Sequence, residues 1–552
     1  MKVVGTLSRA AERHPRKTVV VAAFVVALGV LTGLVAWAVS SPFGTTPDDD
    51  YHMVSIYCPD PGSSQCPVVG HSATGRAMVE APQDILARLC YLERTDASGE
   101  CVGWAGPDGP RIATDRVNLG EYPGAYYAIM HIFSSDDVNQ MELTIRLVNC
   151  ALAAAIVFAL LVLLEPVGRR VFVWTVAATA VPMVPYLVSS VAPDSWSFMG
   201  VTATLAALVG LFRAEERWRR AGLAVTALLG AGMCAAARAD AGALAVLVTV
   251  VVCLVHRRQL VGRQQLAARW GTALTVLGML GLGLSGFVAG SQSSAVSEGF
   301  AGYGDDAQTG PVRLFFENAV YLPDWMTYMW WRGILDMGTF SILGDLLFVG
   351  AVVMVWCGLF RGGMTWEKAV GVALTGGALL GAPLALLQAG NSPLGAASGM
   401  QPRYLVPFLI AAVGVTLVPV AGRTGCYLST RAAVSYWAML VLVQSATLNI
   451  WIRRWVTGLD VKGINLDQNV EWWRDIPLSP NAVWILGSLG LAVAAGAVVA
   501  VRWQPPVQTS GAAEVPAGAT GPSEVVDPAE TASPAKTGGS TPSAEPHESG
   551  AG

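Results

Sequence analysis

The sequence predicts an all-α polytopic membrane protein, with about 12 transmembrane helices and a long first external loop that contains disulfides. Three observations lead there. Of 552 residues, 53% are hydrophobic and only 13% charged, with a mean hydropathy of +0.49, whereas a soluble domain carries about 25% charged residues. The apolar residues are gathered into runs of the roughly 20 residues that a bilayer crossing needs. Only helices and closed barrels satisfy the backbone in lipid, and runs of this length read as helices.

The first run, "TVVVAAFVVALGVLTGLVAWAVS", exceeds the apolar core of a signal peptide and lacks a following A-x-A site, so it is expected to be a retained span. The spans fall near 18–40, 143–164, 171–191, 195–212, 221–237, 240–255, 271–290, 342–360, 369–388, 403–421, 432–452 and 481–501. The fifth and sixth are short enough to form a paired, partly re-entrant hairpin. Lys and Arg concentrate in alternate loops: "RHPRK" before the first span, "GRR" at 168–170, "RAEERWRR" at 213–220, "HRRQLVGRQQLAAR" at 256–269 and "RTGCYLSTR" at 423–431. The positive-inside rule makes these loops and both termini (1–17 and the tail from 503) cytoplasmic. Loops 41–142, 291–341 and 453–480 are then external, and 18–502 forms one transmembrane domain. The tail, rich in Pro, Ala, Gly, Ser and Glu, is expected to be disordered. Scattered loop arginines form no basic stripe, which excludes nucleic-acid binding.

Cysteines agree with this orientation. Cys58, Cys66, Cys90 and Cys101 all fall in the first external loop, where the exterior is oxidising, so two disulfides are expected. Three pairings are open; Cys58–Cys66 with Cys90–Cys101 closes the shortest loops. Metal binding by these cysteines is disfavoured because no C-x-x-C pair is present.

Ionisable residues within or beside spans are functional candidates by default. Arg146, Asp194, Arg238, Asp240, Asp345 and Arg403 all map to the exterior half of the bilayer. Each alone has a plain explanation: Arg146 would snorkel, and Asp194 would cap a helix after Pro193. Together they suggest a polar cavity opening outward. At its mouth stands "PDDDYH", residues 47–52. A helix start accounts for one or two of its carboxylates but not for three plus His52. Asp48 or Asp49 would serve as a general base if its pKa were raised; alternatively Asp49 and Asp50 would hold a divalent cation through oxygen ligands. Aromatic external segments, "GEYPGAYYAIMHIF", "YLPDWMTYMWWRGILD" and "NVEWWRD", read either as an interfacial belt or as surfaces that stack on sugars or a lipid chain.

These residues, in this order, resemble the GT-C superfamily of membrane glycosyltransferases, and more closely the bacterial domain-of-unknown-function family 2142. "PDDDYH" resembles that family's P-D-E-x-x-H, with Asp49 in place of Glu. "EYPGAYY" resembles H-x-P-P-x-Y-Y, departing at Glu121 and Gly124. "IRLVN" resembles its R-L motif, "APDS" its S-P-D-A turn, and "MQPRYLVP" its Q-G-R-Y-x-x-P, with Pro402 in place of Gly. The resemblance covers residues 18–455. It implies a GT-C-like fold and an inverting transfer from a polyprenyl-phosphate-linked sugar in the membrane to a glycan or glycolipid acceptor. Asp48 or Asp49 would be the base and His52 an orienting or acceptor-binding group. Arg403, Tyr404, Arg238, Arg146, Asp194 and Asp240 would line the substrate site, with arginines on the departing phosphate. A transporter or flippase of lipid-linked sugars or small solutes is the competing expectation, because Pro182 and Pro185 would break the third span. A non-catalytic scaffold is a third.

Overall fold

In the computed structural model, residues 15–86, 90–91, 94–257, 266–289, 340–386, 402–420 and 428–501 are described, with isolated positions 316, 423, 425 and 426. The external loop expected at 291–341, including "YLPDWMTYMWWRGILD", and the tail after 502 lie outside the described residues, apart from Phe316 and the first two residues of a helix at 340.

Helices occur wherever an apolar run was long enough. They are α1 (Pro15–Val39), α2 (Asp49–Tyr57), α3 (Ala125–Met130), α4 (Val138–Leu163), α5 (Pro166–Thr179), α6 (Met183–Val188), α7 (Asp194–Arg213), α8 (Arg217–Ala237) and α9 (Ala239–Val255). They continue as α10 (Leu266–Ala289), α11 (Phe340–Arg361), α12 (Trp366–Leu386), α13 (Val406–Leu417), α14 (Thr430–Val456) and α15 (Pro480–Ala500). Among the described residues, seven are long and apolar enough to cross a membrane: α1, α4, α7, α8, most of α10, α14 and α15. The chain is therefore a multi-pass membrane protein. α8 runs to 21 residues, a full crossing length, so only α9 of the expected short hairpin is short.

The third expected span is broken rather than continuous. α5 stops at Thr179 and α6 begins after Pro182, because proline lacks the N–H that would continue the ladder. The carbonyls released by the break are met from α14. Tyr436 Oη donates to Ala177 O at 3.1 Å, and Gln444 Nε2 donates to Ala180 O at 2.7 Å. Freed backbone groups inside a bundle need such partners.

Close approach elsewhere depends on glycine. α1 and α15 meet at Gly29 and Gly490, where a Cβ on Gly490 would lie 2.8 Å from Gly29 O. Small residues allow membrane helices this contact. α7 is the most enclosed span, buried along almost its whole length, which sets its first residue, Asp194, inside the bundle.

The 41–142 segment folds over the α7 N-terminal end. It carries a three-stranded antiparallel sheet in the order β1 (Gly70–His71), β2 (Ala77–Pro82), β3 (Arg111–Thr114). Cys58 pairs with Cys66 and Cys90 with Cys101, the shortest-loop connectivity. Cys357 and Cys426 also lie at disulfide distance, at a place where paired cysteines were not expected. The last turn of α14 and the residues after it are tied to this segment: Arg454 Nη2 donates to Tyr91 O at 2.8 Å and Leu459 N to Thr95 O at 2.7 Å.

Candidate active site

The turn leaving α1 decides where the three aspartates go. Asp48 sits at the N-cap of α2 in the left-handed region, φ 59° and ψ 25°, and its side chain makes no capping hydrogen bond. Asp tolerates this conformation better than most residues, at a cost of about 1–3 kcal/mol. The backward bond is made instead by Asp49, whose Oδ2 accepts from Thr46 N at 2.9 Å. Asp48 thus has its carboxylate free for other partners.

Those partners come from distant parts of the chain. Arg403, in the short 3-10 turn Pro402–Leu405 ahead of α13, donates from Nη2 to Asp48 Oδ2 at 2.8 Å and from Nη1 to Pro47 O at 3.0 Å. Arg116 donates from Nη2 to Asp48 Oδ1 at 3.4 Å. It grips Asp50 with both Nε and Nη2, at 2.7 and 2.8 Å, the planar two-bond match that guanidinium and carboxylate favour. Behind Asp48, Arg403 Nε lies 3.5 Å from Asp194 Oδ2, and Asp194 Oδ1 accepts from Arg238 Nη1 at 3.3 Å. Arg238 in turn grips Asp240 at 2.9 and 3.1 Å. The Tyr404 ring is shared by both guanidiniums, its centroid 4.2 Å from Arg238 Cζ and 4.9 Å from Arg403 Cζ, a placement that favours cations over an aromatic face.

The result is one lattice of three guanidiniums (Arg116, Arg238, Arg403) and four carboxylates (Asp48, Asp50, Asp194, Asp240). It is graded in access. The side chains of Asp48 and Asp50 are 38% exposed, whereas Asp194 is 3% and Arg403 2%. Burial pushes the Asp48 carboxyl up, but Arg403, with help from Arg116, outweighs it and holds the group below its usual range.

His52 lies one turn into α2, buried against Tyr51, Tyr122 and Tyr127, with Nδ1 3.0 Å from Tyr127 Oη. Burial pushes its pKa down to about 3, so the imidazole is neutral, and its ring meets a phenol rather than a carboxylate.

Two expected members stand elsewhere. Asp49 points away from this lattice into a second buried cluster, and Arg146 is there too. Arg146 pairs with Glu142 at 2.6 Å and donates from Nη1 to Ala38 O at 3.0 Å and Ser41 O at 3.1 Å. Arg474 reaches in from the 457–479 loop, donating to Ser41 O at 2.7 Å and to Glu142. Arg146 therefore braces the exit of α1 and does not line the Asp48 lattice. Burial, with Glu142 nearby, pushes the Asp49 carboxyl up to about 8 against the pull of Arg146. The raised pKa expected of a base thus belongs to an enclosed carboxylate, while the accessible Asp48 has a lowered one.

The cation site expected at Asp49 and Asp50 does not form, because the first is turned to Thr46 and Arg146 and the second is held by Arg116. Among the described residues no three His, Cys, Asp or Glu side chains converge as metal ligands. Asp345 is exposed on α11. Arg116, Tyr122, Glu142 and Arg474 were not singled out from sequence. Arg116 looks like any loop arginine, and its sequence neighbourhood carries no signal that links it to "PDDD".

The order of these residues along the chain can be set against known families. The sequence model of a family described as a predicted membrane protein (DUF2142) matches residues 31–412. The chain belongs to this family. The match runs from within α1 to within α13, and so includes Asp48, Arg116, Asp194, Arg238, Asp240 and Arg403. No curated protein and no solved structure matches the chain.

Proposed function

We propose that this protein is a GT-C-type glycosyltransferase with about twelve spans and both termini cytoplasmic. It would move a sugar from a polyprenyl-phosphate donor to a cell-envelope glycan or glycolipid on the outer face of a bacterial plasma membrane. The observation that carries this reading is Asp48: a carboxylate in a left-handed backbone conformation, not used as a helix cap, half-exposed and backed by the buried guanidinium of Arg403.

Its lowered pKa in this state gives the mechanism a trigger. Arg403 and Arg238 are already occupied by carboxylates. A donor phosphate that enters must compete with Asp48 for Arg403. Once it takes that guanidinium, Asp48 keeps its desolvation but loses its strongest cation, so its pKa rises towards the range useful for proton removal. Asp48 then takes the acceptor hydroxyl proton as that oxygen bonds the anomeric carbon. The bond from that carbon to the phosphate oxygen breaks, and the departing phosphate gains charge beside Arg403. Displacement from the opposite face inverts the centre.

The test is Asp48→Asn, because asparagine also accepts the left-handed conformation. In membranes supplied with a panel of polyprenyl-phosphate sugars, transfer is expected to fall by about 10²–10⁴-fold, with the thermal midpoint near wild type. Unchanged transfer would remove Asp48 as the base.

A second reading, a transporter or flippase of lipid-linked sugars, is favoured by the break between α5 and α6, since transporters use discontinuous helices. Movement of a labelled lipid-linked sugar across proteoliposomes, insensitive to Asp48→Asn, would favour it.

A further inference from the structure

Between α1, α4, α5, α6, α7, α13, α14 and α15 lies a cavity of about 230 Å³. An apolar void of about 150 Å³ stays dry and takes benzene, so this one accommodates a length of hydrocarbon chain. Its walls are almost wholly aliphatic and aromatic, as a space opening into lipid requires. Two threonines in the wall, Thr179 and Thr202, spend their hydroxyls on their own helix carbonyls, at 2.9 and 2.7 Å.

Three other wall groups are not matched. Gln444 is 4% exposed; its Nε2 is fixed on Ala180 O, which orients the amide, and its Oε1 has no hydrogen-bond partner. The indole N–H groups of Trp37, 1% exposed, and of Trp437 have none either. The helix break explains one end of the Gln444 amide and leaves the other unexplained. A buried polar atom without a partner costs about 1–3 kcal/mol, and a plain alkyl chain in the cavity would not relieve it.

The three groups come from two helices of the lining, Trp37 from α1 and Trp437 and Gln444 from α14. Trp437 and Gln444 are seven residues apart, on the same face of α14, which is about 10 Å along the helix. Trp37 lies 6.0 Å from Trp451, a further seven residues on, with the rings tilted at 45°. The amide oxygen is thus an unpartnered acceptor in a hydrocarbon-sized space, and it matches a group that gives a hydrogen bond.

We propose that the cavity binds a hydroxyl-bearing hydrocarbon chain of a membrane amphiphile, whose hydroxyl donates to Gln444 Oε1. The site is separate from the Asp48 lattice and does not depend on sugar transfer. A chain without such a group, such as an unsubstituted isoprenoid tail, fits the volume but not the chemistry.

The experiment uses the purified full-length protein in detergent, with a diazirine-bearing long-chain alcohol and the matching alkane as photoprobes. Mass spectrometry reads the labelled residues. The alcohol is expected to label cavity-facing residues of α1 and α14 about ten-fold more than the alkane, the factor one hydrogen bond supplies. Gln444→Leu should reduce alcohol labelling to the alkane level and leave alkane labelling unchanged. Ala153→Phe, which adds bulk to the α4 lining, should lower both several-fold, with thermal unfolding confirming that the variant is folded. Equal labelling by the two probes in the wild type would overturn the proposal, as would a preference that survives Gln444→Leu or labelling that survives Ala153→Phe.

Discussion

Arg403 Nη2 and Asp48 Oδ2 meet at 2.8 Å across 355 positions of sequence, and the same guanidinium faces Asp194 on its other side. Arg403 is thus the joint between the accessible and buried halves of the lattice. Arg403→Ala leaves Asp194 enclosed with half its compensation gone, and removal of one partner of a buried pair costs about 3–5 kcal/mol. Adding Asp194→Asn should recover about 1–3 kcal/mol of that loss. Thermal unfolding of both variants in detergent checks this, and strictly additive losses would show that Asp194 does not rely on Arg403.

The Asp48 backbone gives an ordering that charge alone does not. Asp48→Asn and Asp48→Gly both fit φ 59°, whereas Asp48→Val does not. The valine variant should be less stable than the asparagine one by about 1–3 kcal/mol. Equal midpoints for valine and asparagine would indicate that the turn relaxes out of the left-handed region.

Asp49 makes stability depend on pH. With its pKa raised to about 8, the folded protein keeps a proton that the unfolded chain loses near pH 4. The associated stability is complete below about pH 4, declines as pH rises through the interval to about 8, and is then gone, with a slope of at most about 1.4 kcal/mol per pH unit. The groups around it include Arg146, Glu142, Tyr91, Tyr126, Tyr186 and Thr46. Asp49→Asn removes the titration, so the variant should gain on wild type as pH is raised from 5 to 8. Midpoints measured across that range that stay parallel would argue against a protonated Asp49.

Cysteine chemistry checks the 41–142 segment. Maleimide labelling of unfolded protein should reach Cys58, Cys66, Cys90 and Cys101 only after reduction. Removing either bond, as Cys58→Ser with Cys66→Ser or Cys90→Ser with Cys101→Ser, should cost about 2–4 kcal/mol. Labelling of Cys357 and Cys426 without reductant would show that their proximity is not a bond in the cell.

The bundle was legible because hydropathy and length report directly on a bilayer crossing. Arg403, Arg238, Asp194 and Asp240 were recognisable as a set because charge beside a span is costly and so is rarely incidental. The sequence said less about direction. Neighbouring residues on a helix point about 100° apart, so "DDD" could not tell which aspartate faced which partner, and Asp48 and Asp49 turned out to serve different clusters. Arg146 shows the same limit: its position implied depth, but its carbonyl partners at Ala38 and Ser41 come from chain folding back over α1. The break at Ala180 was foreshadowed by Pro182 and Pro185, while its repair by Gln444 required a helix more than 250 residues later.

The separation of Asp48 from Arg403 and of Ser41 from Arg474 also sets a timetable for biogenesis. Chains grow at about 5–20 residues per second, so Asp48 waits on the order of 20–70 seconds before the Arg403 guanidinium is even synthesised. For most of that interval the acidic turn has Arg116, 68 positions on, as its partner but lacks the buried guanidinium. A chain truncated ahead of Arg403 would carry Asp48, Asp194 and Arg238 and still lack the guanidinium that joins the accessible half of the lattice to the buried half.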